Sequence, residues 1–252
     1  MGKIVSIHSF RGGTGKSNIT ANIATWAAYN GHKVAIIDTD IQSPGIHVIF
    51  GLSDQSKSAT LNDYLWNKCK IEDVANDISD KLGIKKGKLY VLPAALEAGA
   101  ISKILRDGYE VAQMSKGFRD IIKSKKLDYL FIDTHPGLEE ETFLSIAVSD
   151  QLLIIMRPDE QDYLGTAVSL EIARKLEVPN MYMIINKVLK SYNPSTVLRE
   201  VEKAFSVPVV TVIPLYDEII HNASKDIFVL NNKKHAFTKN IDDIYRALLT
   251  MN

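Results

Sequence analysis

Cysteine is almost absent from this sequence, which has one, Cys69, among 252 residues. An internal disulfide is therefore excluded, and the reducing cytoplasm is the compartment that the composition favours. The six histidines show no metal-ligand spacing. With a single thiol, the sequence gives no support for an iron–sulfur or zinc cluster.

An excess of either charge is also absent, since 30 Lys and Arg residues balance 30 Asp and Glu residues. No global field therefore draws the protein toward DNA or anionic lipid, and such contacts would need a local patch. No stretch approaches the ~20 apolar residues that a membrane span requires. The apolar run at residues 4–7 is too short for a signal peptide. We expect a soluble, cytoplasmic protein.

Short apolar runs alternate with amphipathic segments along nearly the whole chain. The runs are almost continuous and end at polar or turn residues, as strands buried on both faces of a parallel sheet do. The predicted strands are residues 4–7, 34–37, 89–92, 129–132, 152–156, 182–185 and 209–213. The predicted helices include residues 18–29, 111–123, 166–176 and 195–205. This alternation predicts an α/β fold with a doubly wound, mostly parallel sheet flanked by helices.

No repeat or long linker divides the sequence, so we expect one domain over residues 1–252. The polar stretch 53–58 is interpreted as a surface loop. Residues 97–110 are the least regular part of the sequence, and we interpret them as a mobile loop followed by a helix.

A glycine-rich segment, SFRGGTGKS at residues 9–17, joins the first predicted strand to the first predicted helix. Glycines at such a junction let backbone N–H groups turn toward phosphate oxygens, and the helix adds the positive end of its dipole. Lys16 is expected to reach the β- and γ-phosphates, and the Ser17 hydroxyl to ligate Mg²⁺. The alternative is a glycine turn with a surface lysine. We predict ATP and Mg²⁺ as cofactors, with the nucleotide bound by Gly12, Gly13, Thr14, Gly15, Lys16, Ser17 and Asn18.

Aspartates lie at the ends of two predicted strands, in the sequences IIDTDI and FIDTHPG. Ligands gather at the carboxyl ends of parallel strands, so Asp38, Asp40 and Asp133 are expected beside the glycine-rich segment. Asp38 and Asp40 are two residues apart in an extended segment, which predicts that they point the same way. One would support Mg²⁺ and the other would hold an attacking water, while Asp133 follows the Walker B pattern for Mg²⁺. A lone aspartate in this position would more simply cap a turn.

Taken together, these motifs resemble the ParA/MinD family of deviant Walker A P-loop ATPases. The resemblance rests on residues 11–17, 38–40 and 132–137 and extends in order and spacing over most of the chain. It implies that Asn186 contacts adenine and that the segment at Pro214 closes over the base. It assigns Asp40 to the attacking water, and Ser17, Asp38 and Asp133 to the metal.

The resemblance also implies a function. ATP would drive a face-to-face homodimer, and slow ATP hydrolysis, stimulated by an activating partner protein, would time its release from a surface. Such proteins control the intracellular positioning or partitioning of DNA, division machinery or protein compartments. The alternatives are a metabolic P-loop enzyme, such as an amidoligase or small-molecule kinase, and an ATP-binding adaptor. The three aspartates favour an ATPase over an adaptor.

Three residues depart from the family pattern or invite a second interpretation. Arg11 replaces the signature lysine that reaches the partner's phosphates, and we favour a retained role across the dimer over a salt bridge within the loop. For His135 we favour a solvent-facing ring over a role at the γ-phosphate. For Arg157 we favour an ion pair with Asp159 or Glu160.

The surface on which the protein would act is less clearly indicated. At the C-terminus, Ile241, Ile244, Tyr245, Leu248 and Leu249 form one helical face, but Asp242 and Asp243 oppose anionic lipid. Packing onto the sheet is the better interpretation, and membrane binding is disfavoured. Nonspecific DNA binding stays open, because basic residues are scattered through the last third. These are Lys187, Lys190, Arg199, Lys203, Lys225, Lys233, Lys234 and Lys239.

Overall fold

The computed structural model describes residues 2–41, 43–52, 59–107 and 110–250. Its strands are β1 Lys3–His8, β2 Lys33–Asp38, β3 Asn76–Asp77, β4 Lys88–Leu92, β5 Tyr129–Asp133, β6 Gln151–Met156, β7 Asn180–Val188 and β8 Val209–Pro214. They form one sheet in the order β3-β4-β2-β5-β1-β6-β7-β8. Neighbouring strands are parallel except for the antiparallel β3–β4 pair at one edge. The predicted mostly parallel sheet is confirmed.

Helices cover both faces of this sheet. In the described ranges they are α1 Lys16–Tyr29, α2 Ile46–Ile49, α3 Leu61–Leu65, α4 Ile71–Val74, α5 Ala98–Asp107, α6 Val111–Lys125, α7 Glu140–Ala147, α8 Glu160–Lys175, α9 Pro194–Phe205, α10 Asp217–Asn222, α11 Phe228–Asn231 and α12 Ala236–Thr250. No helix within the described part of the chain is long and apolar enough to cross a membrane.

Both faces of the sheet are buried, which explains why the strands have continuous apolar sequences. Val5 and Ile7 of β1 belong to a core that α1 and α12 cover, whereas Ile4 belongs to a second core with α6 on the opposite face. A third core lies under α8 and α9 on that opposite face. Since successive side chains of a strand alternate between the faces, each strand needs apolar residues at consecutive positions.

The predicted strands and helices are all present, and most extend a few residues further than predicted. The two-residue strand β3 was not predicted, because a pair of polar residues carries no strand periodicity. The prediction of a mobile loop at the start of residues 97–110 was wrong, since α5 begins at Ala98. The predicted loop at residues 53–58 lies outside the described residues.

The C-terminal helix α12 packs as predicted, with one exception. Ile241, Ile244, Tyr245 and Leu248 are buried on the sheet and α1, but the side chain of Leu249 is 43% exposed. Leu249 follows Leu248 by one position, which rotates it by about 100° out of the buried stripe. The prediction for Leu249 was therefore wrong.

Strand order brings the predicted site together at one edge of the sheet. The central strand β1 pairs with β5 on one side and β6 on the other, and β5 pairs with β2. Asp38 and Asp133 are partners in the β2–β5 register. The glycine-rich segment follows β1, so it lies at the same carboxyl edge as both aspartates.

Candidate nucleotide site

The glycine-rich segment forms a tight loop between β1 and α1. Gly13 has φ 78° and Gly15 has φ 93°, in the left-handed region that favours glycine. At Gly15, a Cβ would also come within 2.6 Å of the Asn186 amide nitrogen. Two constraints therefore require glycine at position 15, immediately before α1 begins at Lys16.

The end of β7 holds this loop from the side. Asn186 Nδ2 donates to the Thr14 carbonyl oxygen at 2.7 Å, and Lys187 Nζ donates to the Gly13 carbonyl oxygen at 2.7 Å. The resemblance implied an adenine contact for Asn186, and the structure adds a contact with the phosphate loop. Lys187 was predicted only as a basic surface residue. Its position next to Asn186 at a strand end is the signal that could have assigned it.

Lys16 and Asp133 form a buried ion pair under the loop. The Lys16 Nζ–Asp133 Oδ1 distance is 3.0 Å, and their side chains are 7% and 1% exposed. The Thr20 hydroxyl donates to the same Asp133 oxygen at 3.1 Å. Thr20 was not predicted, although it lies one helical turn after Lys16 on the same face of α1. Charge and hydrogen bonding together compensate the burial of the carboxylate.

Asp38 is fully buried and organises the loop that follows β2. Its Oδ1 accepts a hydrogen bond from the Asp40 amide at 3.1 Å, and its Oδ2 accepts from Gly45 at 2.9 Å and Ile46 at 3.0 Å. Burial and the neighbouring Asp133 raise the pKa of Asp38. β2 ends at Asp38 and Asp40 follows outside the strand, so a shared orientation of the two carboxylates stays a prediction. Backbone amides surround Asp38, whereas Asp40 lines a cavity.

Asp40 meets His135 across the entrance of the site. His135 Nδ1 lies 2.8 Å from Asp40 Oδ1, which also accepts a hydrogen bond from the Ser43 amide at 3.0 Å. On the far side of the ring, His135 Nε2 is 3.6 Å from Glu139. The hydrogen bond to Asp40 raises the pKa of His135. The favoured solvent-facing ring was wrong, because the His135 side chain is only 20% exposed and is engaged with Asp40.

Two arginines share a pair of carboxylates at the rim of the loop. Arg157 forms two hydrogen bonds with Asp162, at 3.1 and 3.2 Å, and an ion pair with Asp159 at 3.2 Å. The predicted partner Asp159 is confirmed, while the closer partner Asp162 was missed. Arg11 lies 3.6 Å from both carboxylates, with its side chain 39% exposed. The salt-bridge alternative for Arg11 therefore has a geometric basis within one chain.

Two adjoining cavities meet at Gly15, Asn18 and Ser224. One, of about 570 Å³, faces the phosphate loop and is lined mainly by glycines and by polar or charged residues; it is the phosphate cavity. It is lined by residues 12–18, including the predicted Ser17, together with Asp40 and His135. The other, of about 330 Å³, is mostly apolar. Its walls include Asn186, Pro214, Tyr216, Ile219 and Phe237. A cavity lined mainly by polar residues beside one lined mainly by apolar residues, the base cavity, matches the phosphates and the base of a nucleotide.

Hydrogen-bond donors and acceptors in the phosphate cavity fit a nucleoside triphosphate with Mg²⁺. The buried Thr14 hydroxyl has no hydrogen-bond partner among the described residues. A buried polar atom of this kind calls for a ligand or water. Lys16, the Ser17 hydroxyl and the Asp40 carboxylate line this cavity and provide a cation and hard oxygen ligands, the groups that bind phosphate and Mg²⁺. A larger cavity of about 810 Å³, lined by Lys3, Arg119 and Lys126 among others, lies at the opposite edge and lacks a phosphate loop.

Fold and site together define a P-loop nucleoside triphosphatase. The chain matches the ParA family model described as NUBPL iron-transfer P-loop NTPase over residues 1–249, and it belongs to that family. The resemblance to ParA/MinD ATPases is thereby confirmed.

Individual relatives carry several names. An uncharacterised ATP-binding protein of Methanocaldococcus jannaschii is 29% identical over 83% of this chain and 73% of its own. An iron–sulfur cluster carrier protein of Rickettsia conorii is 25% identical over 91% of this chain and 66% of its own. The septum site-determining protein MinD of Synechocystis is 24% identical over 89% of this chain and 80% of its own.

A solved structure has the same fold. The septum site-determining protein MinD of Pyrococcus horikoshii, solved in complex with Mg-ADP, has a TM-score of 0.82 and 21% identity. The match covers 98% of this chain and 96% of that one. At this identity the likeness establishes the fold.

Proposed function

We propose that this chain is a Mg·ATP-dependent switch that dimerises with ATP, hydrolyses it slowly, and controls the intracellular positioning or partitioning of a cargo. The observation that carries the proposal is the convergence of the phosphate loop with Lys16, Asp40 and Asp133 at one edge of the sheet. Lys16 would contact the β- and γ-phosphates, and Ser17, Asp38 and Asp133 would serve the Mg²⁺ site, with Asp38 also holding the loop that follows β2. Asp40 would orient the attacking water. A relative named for septum site determination supports a positioning role.

The rim of the phosphate loop supports the dimer. Arg11 lies beside Leu164 and Val168 of α8, which are 68% and 45% exposed, around a shallow cavity of about 420 Å³. Large apolar side chains that are this exposed next to a cation match the composition of an interface. In the single chain Arg11 is near Asp159 and Asp162, and in the dimer it would turn to the partner's phosphates.

The molar mass in solution tests the proposal. Light scattering would be recorded without nucleotide, with ADP, and with ATP and Mg²⁺, on the natural chain, Asp40→Ala and Arg11→Ala. We expect a dimer only with ATP, retained in Asp40→Ala and lost in Arg11→Ala. A monomer in every condition, with ATP binding demonstrated separately, would contradict the switch and favour a metabolic P-loop enzyme.

Iron transfer, which the family description and one relative's name mention, fits this chain poorly. The sequence has one cysteine, Cys69. Within the described ranges, no group of three or more His, Cys, Asp or Glu residues is placed to hold a metal ion. Iron–sulfur clusters are held mainly by several cysteine thiolates. The nucleotide switch is therefore the function that these residues support.

DNA is one surface on which such a switch could act. Two of the predicted basic residues already have local partners. Lys190 lies 3.5 Å from Asp217, and Lys233 Nζ donates to the Tyr29 hydroxyl at 2.7 Å. A mobility-shift assay at low salt tests DNA binding. If DNA is bound, we expect an ATP-dependent complex that added salt weakens. The absence of a complex at low salt would exclude DNA binding.

A further inference from the structure

The side chain of His135 lies where two loops of the site meet. Register in the sheet pairs Asp38 at the end of β2 with Asp133 at the end of β5. Asp40 and His135 each follow their paired aspartate by two residues, so the sheet itself brings them to the same place. The 2.8 Å contact between His135 Nδ1 and Asp40 Oδ1 is the direct link between the two loops at this point.

The loop that carries His135 is anchored on both sides of the ring. The Thr134 amide donates to the Ile7 carbonyl oxygen at 3.2 Å, and the Gly137 amide donates to the Ser9 carbonyl oxygen at 3.2 Å. Both acceptors belong to the strand and turn that lead into the phosphate loop. His135 is therefore held in a fixed position relative to the phosphate loop, although it follows a different strand.

Asp40 depends on contacts of this kind for its own orientation. The sheet register places the backbone of Asp40 near His135, but Asp40 lies beyond the end of β2, so strand pairing does not set the rotation of its carboxylate. The Ser43 amide and His135 Nδ1 both bind its Oδ1. Two donors on one oxygen restrict rotation of the carboxylate, and a carboxylate that directs a water to a phosphate must be held in a defined plane.

We propose that His135 is a positioning residue, which orients the Asp40 carboxylate for hydrolysis through the Nδ1–Oδ1 hydrogen bond. This inference rests on the proposed ATPase function and assigns a role to a residue for which the sequence favoured none. The role is carried by one donor atom at the Nδ1 position. It therefore predicts which replacements restore activity.

Three variants separate this role from a general contribution to folding. An asparagine at position 135 places its amide nitrogen near the position of Nδ1, whereas a glutamine places its amide nitrogen near that of Nε2. His135→Ala removes both. The kcat and KM for ATP would be measured for each variant, with thermal unfolding to verify that each chain is folded and light scattering to follow the ATP-dependent dimer.

We expect kcat to fall by roughly tenfold to a hundredfold in His135→Ala, the effect of misplacing a catalytic group by about 1 Å. His135→Asn should recover most of this loss, and His135→Gln should not. The KM for ATP and the dimer with ATP should change little, because the contact acts on Asp40 rather than on nucleotide binding.

The inference is overturned if His135→Ala hydrolyses ATP at the natural rate, or if His135→Asn is as slow as His135→Ala. A higher KM for ATP with an unchanged kcat in His135→Ala would also overturn it, since His135 would then contribute to nucleotide binding. The natural chain is the reference for the function itself. If the natural chain does not hydrolyse ATP, both the proposed ATPase function and this inference fail. If it does hydrolyse ATP but His135→Asn does not recover activity, only this inference fails.

Discussion

The phosphate cavity, which faces the phosphate loop, and the adjoining base cavity lie side by side but differ in the residues that line them. Charged groups in the phosphate cavity already have partners, as in the pairs Lys16–Asp133 and Asp40–His135. The base cavity is mostly apolar, and its walls come from β7, β8, α10 and α12. Because charges are sensitive to distance and apolar surfaces are more tolerant, single substitutions should affect the phosphate cavity more strongly.

The largest effect is expected at Lys16. Lys16→Ala removes the charge proposed to contact the phosphates and leaves the buried Asp133 carboxylate without its cation. Breaking a buried pair in this way costs about 3–5 kcal/mol of folding free energy. We also expect affinity for ADP to fall roughly a hundredfold or more, since about 2.7 kcal/mol or more is lost with the charge-assisted contacts. Calorimetric titration and thermal unfolding measure the two effects.

Lys187→Ala is the matched control, because Lys187 also binds the phosphate loop but does so from an exposed position. It removes one hydrogen bond to a carbonyl oxygen, worth about 1 kcal/mol. Equal losses in the two variants would contradict the distinction between the buried ion pair and the exposed lysine.

Gly165 supports the phosphate cavity from outside. A Cβ at this position of α8 would overlap the ring of Phe10, which lies at the start of the glycine-rich segment. Gly165→Ala should therefore displace Phe10, destabilise the fold by about 1–3 kcal/mol as overpacking does, and weaken ADP binding. Thermal unfolding and ADP titration provide the measurement.

Gly99→Ala is the control for this substitution, since nothing lies within 4 Å of a Cβ built on Gly99 in α5. There alanine meets no neighbour and should change the stability by no more than about 0.5 kcal/mol. If Gly165→Ala behaved like Gly99→Ala, the close contact with Phe10 would not constrain the loop.

These two cavities also differ in how far the sequence predicts them. The strands and the position of the phosphate loop follow from local patterns, because apolar runs and a glycine-rich motif are short and contiguous. The contact between Asp40 and His135 depends on register between strands about 95 residues apart, and the packing of Phe10 on Gly165 depends on where α8 crosses the loop. Local periodicity contains neither piece of information. The apolar walls of the base cavity have no motif at all, beyond the resemblance at Asn186 and Pro214.

His8 is expected to make the stability of the fold decrease in acid. It is fully buried at the end of β1, between the hydroxyls of Thr134 and Ser169, and burial lowers its pKa from 6.5 to about 3. A histidine with a lower pKa in the folded state stabilises the fold above its unfolded pKa, and this stability is lost as the pH falls. Between pH 7 and pH 5 the loss is about 2 kcal/mol.

Chemical denaturation of the natural chain and His8→Gln at several pH values tests this linkage. From pH 7 to pH 5, the natural chain should lose about 2 kcal/mol of unfolding free energy relative to His8→Gln, because glutamine does not titrate. His221→Gln, at an exposed position of α10, is the control for replacing a histidine by glutamine outside the core. A constant difference between His8→Gln and the natural chain would show that His8 is accessible to protons in the folded state.

The smallest effect is expected in the base cavity. Tyr216 lines it and packs edge-on against Phe237, with ring centroids 6.3 Å apart. Tyr216→Ala removes part of an apolar wall and should weaken ADP binding about tenfold, corresponding to about 1.4 kcal/mol. Tyr216→Phe keeps the ring and should bind within about twofold of the natural chain. Pyrophosphate, which has no base, should bind all three proteins equally well. A loss of pyrophosphate affinity in Tyr216→Ala would mean that the wall of the base cavity also supports the phosphate loop, and the two cavities would then act as one unit.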